Sequence, residues 1–200
     1  MVRSSTILDR WEITANDLTS AVDSNPSLRG MLFGYIAEMK LTKLLEVNAH
    51  VSSSFKFDDH DRSKKGDRVV IYNGQSFTVE SKSLQTNSIR KQDGVWVGKA
   101  QVDASDRRKV ELPTGKTVET TCLVVGEFDV LAVNLFAFED KWRFIFAKNG
   151  DLPKTSFRGY RKGVRQFLLA TLVTVTWPPT PPFHEDVFAV LEELIRERRT

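Results

Sequence analysis

The chain has little cysteine and no long hydrophobic run. Its 200 residues contain one cysteine, Cys122, so no disulfide can form within the chain. We expect a buried, unreactive thiol there rather than a nucleophile, because Cys122 lies in the apolar run "TTCLVV". The longest apolar run, residues 167–175, is far shorter than the roughly 20 residues of a membrane span. The N-terminal stretch lacks the pattern of a signal peptide, and a cytoplasmic location is therefore expected.

One long segment has no acidic residue. No Asp or Glu occurs from Leu152 to His184, although the net charge of the chain is only +3. The basic side chains of this segment are Lys154, Arg158, Arg161, Lys162 and Arg165. Such a cluster suits a polyanion, because a basic group placed at a phosphate releases condensed counterions. A solvated face of the helix predicted from about Phe157 to Leu169 stays open as the alternative.

The composition and the hydrophobic pattern predict one globular domain that contains both helices and strands. Hydrophobic residues make up 40% of the chain and charged residues 28%, which allows a substantial core. The sequence Ser24-Asn25-Pro26 predicts the start of a helix that runs to about Val47. The nearly unbroken apolar runs "FDVLAVNLFAF" and "WRFIFA" predict central buried strands. A last amphipathic helix, from about Glu185 to Arg198, follows the proline-rich stretch "WPPTPPF".

The stretch "DRVVIYNGQSFTVESK", which follows the polar loop "DDHDRSKKG", predicts a β-hairpin that brings two carboxylates together. Asn73-Gly74 strongly favours a two-residue type I′ turn between the runs "RVVIY" and "SFTVES". This turn places Asp67 opposite Glu80, at the far end of the hairpin. Like charges at opposed positions destabilise a sheet, so the pair needs an explanation.

A bound divalent cation would explain the opposed carboxylates. Glu80 and Lys82 are two residues apart and share one face of the strand, whereas Phe77 and Val79 point to the other, buried face. Hard oxygen ligands with few protein contacts suit Mg²⁺, and the ammonium could act on a water molecule or stabilise charge on a phosphate. A structural salt-bridge ladder is the alternative that this pattern leaves open.

Two other Glu-x-Lys tripeptides lie in less suitable places. Glu38-Met39-Lys40 falls within the predicted helix, where residues two apart do not face each other. Glu139-Asp140-Lys141 falls at the turn between the two predicted central strands, where solvated charges are typical. Glu80-Ser81-Lys82 alone combines a strand, an opposed upstream Asp and an apolar opposite face.

On these residues the sequence resembles the PD-(D/E)XK nuclease superfamily, whose fold is called restriction-endonuclease-like. The superfamily pattern is an acidic residue at a strand start, a spacer, and Glu/Asp-x-Lys on the next strand. Here it is matched by Gly66-Asp67, twelve intervening residues and Glu80-Ser81-Lys82, with Gly66 in place of the usual proline. Glu38 matches a helix glutamate of many members, and Gln101 matches a glutamine that some members carry after the lysine.

The resemblance implies a fold, an activity and a set of site residues. The implied fold is α/β (α+β), with a central mixed β-sheet flanked by helices. The implied activity is Mg²⁺-dependent hydrolysis of DNA phosphodiester bonds, with Mn²⁺ as a substitute. Asp67, Glu80 and Glu38 would hold the metal, Lys82 would act at the attacking water, and Gln101 would support the site. The basic side chains from Lys154 to Arg165 would contact the DNA backbone.

The resemblance also suggests how the chain is organised and leaves its biological role open. We expect an N-terminal helical lead-in at 1–25, a nuclease core domain at 26–176, and at 177–200 a proline-rich linker with a C-terminal helix that packs on the core. Small nucleases of this kind are often type II restriction enzymes, which cut both strands as homodimers. A repair or recombination nuclease that acts on branched DNA or ends, and a catalytically inactive DNA-binding or assembly module, remain as alternatives.

Overall fold

The computed structural model describes residues 5–56 and 66–199. The chain divides into two units, Met1–Lys40 and Leu41–Thr200. Residues 58–65 of the predicted loop "DDHDRSKKG" lie outside the described residues. Across the described ranges, no helix is long and apolar enough to cross a membrane. The three predicted segments and the cytoplasmic location stay predictions.

Helices are concentrated near the two ends of the chain. The described part contains six α-helices: α1 (Ile7–Trp11), α2 (Ala15–Asp23), α3 (Pro26–Glu46), α4 (Phe136–Glu139), α5 (Lys162–Arg165) and α6 (Val187–Glu197). Capping boxes fix the starts of α1 and α2, because Thr6 and Thr14 each exchange hydrogen bonds with an aspartate three residues later. α3 confirms the helix predicted from Pro26, and it ends one residue before the predicted end. Its buried side chains, Ala37, Leu41 and Leu45, all lie in its C-terminal half.

A five-stranded mixed sheet forms the centre of the unit Leu41–Thr200. Its strands are β1 (Val51–Phe55), β2 (Arg68–Tyr72), β3 (Gln75–Ser83), β8 (Val130–Asn134) and β9 (Phe144–Lys148). They lie in the order β1-β2-β3-β8-β9, with β3 and β8 parallel and the other neighbours antiparallel. The two predicted apolar runs do form buried strands, β8 and β9. Only β8 is central, since β9 is the last strand of the sheet, and the end of the first run, from Phe136, is helical in α4. The predicted α/β class with a central mixed sheet flanked by helices is confirmed.

Two smaller sheets accompany the central one. The strands β4 (Arg90–Gln92), β5 (Val95–Gln101) and β10 (Leu172–Trp177) form a sheet in the order β10-β5-β4. The strands β6 (Asp103–Glu111) and β7 (Thr117–Cys122) form an antiparallel hairpin. The described strands therefore number ten. In the five-stranded sheet, β3 lies between its hairpin partner β2 and its parallel neighbour β8.

The faces of the central sheet belong to two separate hydrophobic cores. On one face, Phe77 and Val79 pack with residues of α6 and the last turns of α3. The other face packs against the sheet that contains β5 and β10. Phe77 is fully buried, and burial of such a side chain stabilises the fold by about 1.5–3 kcal/mol. The predicted division of β3 into a buried apolar face and a face that carries Glu80 and Lys82 is therefore confirmed.

The long basic helix predicted from Phe157 to Leu169 is wrong. Only the four residues of α5 are helical in this segment. Gly159 disfavours a helix before α5, because a glycine costs a helix interior about 1 kcal/mol relative to alanine. The chain then continues in extended form, because Leu168 forms a β-bridge with Val124. No helical stripe of basic residues exists here, whether facing DNA or facing water.

Candidate active site

The hairpin β2–β3 has the predicted turn and the predicted register. Asn73 and Gly74 have φ values of 48° and 73°, which fit a type I′ turn. The pairing runs from Tyr72 opposite Gln75 to Arg68 opposite Val79. Asp67, one residue further, continues this ladder, since its N–H donates to Val79 O at 2.9 Å. The turn chemistry therefore positions Asp67 beside the strand that carries Glu80.

Asp67 is held in place by its own carboxylate. The Ser81 N–H donates to Asp67 Oδ2 at 2.7 Å, so the Asp67 side chain reaches across to the Glu80-Ser81-Lys82 tripeptide. Gly66, before it, has a φ of 79°. Proline cannot adopt this angle because its ring fixes φ near −65°. A proline could therefore not occupy position 66 with this backbone conformation.

Glu80 is a buried carboxyl group with an unfavourable charge. It is 8% exposed, and burial is the largest cause that raises the pKa of Glu80 above its ordinary value. The negative charge of Asp67 raises the pKa of Glu80 further, whereas the ion pair with Lys82 opposes this shift. The two carboxylates therefore repel each other in the folded protein, as the opposed register predicts. A cation between them would relieve this repulsion.

Lys82 contacts Glu80 directly. Lys82 Nζ lies 2.8 Å from Glu80 Oε1, and both side chains are largely buried. Burial lowers the pKa of Lys82, but the carboxylates of Glu80, Asp67 and Asp103 raise the pKa by more, so the net shift is upward. The ammonium of Lys82 is therefore charged at neutral pH. In this state it can stabilise negative charge or orient a water molecule, but it cannot accept a proton.

Sequence reasoning missed two neighbours of the site. Asp103 lies on β6, and its negative charge contributes to the raised pKa of Lys82. Glu127 raises the pKa of Glu80 and forms a two-pronged ion pair with Arg108, whose second contact is 2.6 Å. Asp103 follows Gln101 by two residues, and this spacing on a strand was the one signal that could have indicated it. Nothing local to Glu127 or Arg108 relates them to Glu80.

Gln101 lies at the end of β5, and its side chain is exposed. Leu84 forms a β-bridge with Ala100, so the chain just after Lys82 runs beside the end of β5. Ala100 and Val102 are fully buried, whereas Gln101 between them is exposed on the other side of the strand. Its Oε1 accepts a hydrogen bond from Gln85 Nε2 at 3.0 Å. A supporting role for Gln101 stays a prediction.

The other predicted residues have distinct positions. Glu38 lies on α3 as predicted, in the unit Met1–Lys40, and its role as a ligand stays a prediction. In the acid-free segment, the Lys154 ammonium donates to two backbone carbonyls, and burial lowers the pKa of Lys154. Arg165 also donates to a carbonyl, that of Tyr160 at 2.7 Å. The side chains exposed to solvent are those of Arg158, Arg161 and Lys162.

The donor set fits a Mg²⁺ ion that the protein holds with few ligands. Across residues 5–56 and 66–199, no group of three His, Cys, Asp or Glu side chains has the arrangement of a metal site. Mg²⁺, however, usually keeps several waters and is bound through one or two carboxylates together with substrate phosphates. Asp67 and Glu80 supply two carboxylates, and the burial and repulsion that raise the pKa of Glu80 are what a bound cation would offset.

Comparisons with known proteins add one distant structural likeness. No protein-family model matches the sequence, and no curated protein matches it. The structure of a bacterial homing endonuclease, I-Ssp6803I, is similar to this chain over 69% of this chain and 87% of that chain. The sequence identity is 18% and the TM-score is 0.39. A likeness this distant carries no functional conclusion, so the function has to be argued from the site.

Proposed function

We propose that this protein is a Mg²⁺-dependent DNA endonuclease that hydrolyses phosphodiester bonds. The observation that carries the proposal is the grouping of Asp67, directly before β2, with Glu80 and Lys82 on β3. Burial and mutual repulsion raise the pKa of Glu80, and ionisable groups whose pKa is shifted by burial and a nearby charge are typical of functional sites. The same arrangement is useful where a cation and a phosphate have to meet.

The carboxylates are proposed to hold the metal. Asp67 and Glu80 would bind Mg²⁺, with Mn²⁺ as a substitute, and Glu38 would complete or orient the ligands. When bound, the ion supplies Lewis acidity and neutralises charge on the phosphate. The hydrogen bond from Ser81 N–H fixes the Asp67 carboxylate in position before any ion arrives, which lowers the cost of assembling the site.

Lys82 is proposed to act through its positive charge. Because its pKa is raised, the side chain is an ammonium that donates hydrogen bonds. A donor fixed in a largely buried site stabilises charge that develops in a phosphate transition state more strongly than water does. Lys82 would therefore orient the attacking water and stabilise the transition state, while Gln101 would support the site.

The DNA backbone is proposed to contact the acid-free segment. Arg158, Arg161 and Lys162 are exposed and free to reach phosphates. Lys154 and Arg165 complete the predicted set, but each already donates to backbone carbonyls. The finer role, a type II restriction-like enzyme that cuts both strands as a homodimer, follows from the resemblance alone. A repair or recombination nuclease would use the same residues.

Cleavage of plasmid DNA tests this proposal. Purified protein incubated with supercoiled plasmid and Mg²⁺ should nick or linearise it, and a chelator should stop the reaction. The Asp67→Asn variant should be inactive, because the amide keeps an acceptor for Ser81 N–H but removes the negative charge. Asp140→Asn, in the tripeptide at the turn, is the matched control and should cut normally. Cleavage that persists in Asp67→Asn or in chelator would refute the proposal.

A second function is favoured by the ion pair between Lys82 and Glu80. At 2.8 Å this pair is also what a structural salt bridge would give, and a catalytically inactive DNA-binding or assembly module could keep it. The two functions differ in their response to metal. An inactive module predicts DNA binding that is the same with and without Mg²⁺, and no cleavage of any DNA substrate.

A further inference from the structure

A groove separates the β6–β7 hairpin from the segment 161–166. Its volume is about 640 Å³. Lys116 and Thr117 line it from the hairpin, and Arg161 and Gln166 line it from the opposite side. Val118 and Val164 also line it and belong to the small hydrophobic cluster between the two walls. None of the described residues that line the groove is acidic.

The two walls of the groove are joined firmly. The buried side chains of Val110, Leu112 and Leu168 lie in one cluster, against which Tyr160 and Phe167 pack. The apolar side chains of the segment therefore pack against the β6–β7 hairpin. Because the cluster takes residues from both sides, the groove is formed before any ligand binds.

Hydrogen bonds add to this connection. The hydroxyls of Thr120 and Tyr160 are 2.6 Å apart, so β7 is tied to the basic segment by a polar contact as well. The Leu112 N–H donates to Lys116 O at 2.8 Å, and the left-handed Gly115, with a φ of 74°, allows the turn. The position of Lys116 is thus set by the turn, although its side chain is exposed.

We propose that this groove binds the phosphate backbone of duplex DNA, with Lys116 and Arg161 as cationic contacts on opposite walls. The inference rests on the proposed function for its DNA substrate, and it adds the β6–β7 hairpin as a DNA-binding element. Charge complementarity selects the occupant, because both charged side chains of the lining are cations and the remaining polar ones, Thr114, Thr117 and Gln166, can donate to phosphate oxygens. Contacts of this kind position DNA without reading its sequence.

The same hairpin supplies a matched control residue. Lys109 is exposed like Lys116, but it does not line the groove. It also pairs across the ladder with Glu119, an acid that disfavours a phosphate there. Lys109→Ala removes one positive charge from the same element without touching the groove.

Equilibrium binding to a labelled duplex, measured over a range of salt concentrations with Ca²⁺ in place of Mg²⁺, tests the inference. Lys116→Ala and Arg161→Ala should each weaken binding about 5- to 10-fold near 0.1 M salt, and make log K less steep against log salt by about one unit. The conservative changes Lys116→Arg and Arg161→Lys should restore binding, which excludes a folding defect as the cause. Lys109→Ala should bind like the unchanged protein.

The outcomes separate this inference from the proposed function. If the unchanged protein binds and cuts DNA, and both alanine variants bind with the same affinity and salt slope, the groove is not a DNA site although the nuclease function stands. If the unchanged protein binds through the groove but cuts no DNA with Mg²⁺, the inference holds and the nuclease function fails. If it binds no duplex at all, both are wrong.

Discussion

Lys82 Nζ and Glu80 Oε1 lie 2.8 Å apart on the same face of β3, with Asp67 bound to the backbone between them through Ser81 N–H. The hairpin register and the two-residue period of the strand produce this contact together. It places the Lys82 ammonium directly beside a carboxylate of the proposed metal site. The predictions that follow separate a catalytic arrangement from a structural one.

The first prediction concerns Lys82. Lys82→Ala should lower the rate of DNA cleavage by about 100-fold or more, because it removes a fixed positive charge from the site of reaction. The melting temperature and DNA affinity should change little, since Glu80, whose pKa is already raised, can take up a proton when its partner is lost. Lys141→Ala is the matched control and should leave cleavage near normal. If Lys141→Ala is inactive and Lys82→Ala is active, the proposal has placed the site at the wrong tripeptide.

The second prediction concerns the pH dependence of stability without metal. A group whose pKa is raised on folding contributes stability below its unfolded pKa, and that contribution is lost as pH rises through the folded pKa. The free energy of unfolding of Glu80→Gln, relative to that of the unchanged protein, should therefore rise from acidic to neutral pH. The change should be centred above 4.5, the ordinary value for Glu80. Denaturant unfolding at a series of pH values measures it, and a change centred below 4.5 contradicts the burial and repulsion described here.

The third prediction concerns Gly66. A Cβ at this position would lie 3.2 Å from Thr78 Cβ and 3.3 Å from Val79 O, in a left-handed backbone conformation. Gly66→Ala should lower the free energy of unfolding by about 1–2 kcal/mol and reduce cleavage, because it displaces Asp67. Gly74→Ala has a similar φ of 73° but open space around the added carbon, so it is the matched control. It should lower stability while leaving cleavage per folded molecule unchanged. Equal losses of cleavage in both variants would contradict the prediction.

The fourth prediction concerns the attachment of α6 to the sheet. Arg198 lies 4.3 Å above the Phe77 ring, donates to Ser76 O at 2.9 Å and pairs with Asp129 at 2.5 Å. Arg198→Ala should lower the free energy of unfolding by about 1 kcal/mol in low salt, because the ion pair is partly exposed. Arg199→Ala removes the same charge one residue later and should have almost no effect. If thermal or denaturant unfolding shows a larger loss of stability for Arg199→Ala than for Arg198→Ala, this account of α6 is contradicted.

The local parts of the site could be predicted because short-range chemistry fixes them. The dipeptide Asn73-Gly74 selects a turn, the turn fixes the register, and the register brings Asp67 to the Glu80 strand. The glycine that precedes Asp67 is explained only by the structure, since its φ of 79° depends on how the chain enters β2. The helix α3 was predictable for a similar reason, because its start is encoded in three consecutive residues.

The remaining parts depend on contacts between distant segments. The parallel pairing of β3 with β8, and the neighbourhood of Glu127 and Asp103 around the site, arise from packing that no local pattern encodes. In the segment from Phe157 to Leu169, contacts with a distant segment instead prevent a structure that the local sequence predicts. A helix was predicted over this range. Gly159 and the β-bridge between Leu168 and Val124 instead favour an extended chain on either side of α5. Local propensity was outweighed there by tertiary pairing.

The measurement that tests the central claim most directly is a calorimetric titration of the protein–DNA complex with Ca²⁺. This ion is used in place of Mg²⁺ so that binding is measured without cleavage of the DNA. The unchanged protein should bind the cation, and Asp67→Asn and Glu80→Gln should each abolish or strongly weaken that binding, because the site offers two carboxylates and loses one. The Asp140→Asn variant should bind as the unchanged protein does. Absence of any divalent binding, or binding that survives both changes, would show that Asp67, Glu80 and Lys82 form a salt-bridge ladder and not a metal site.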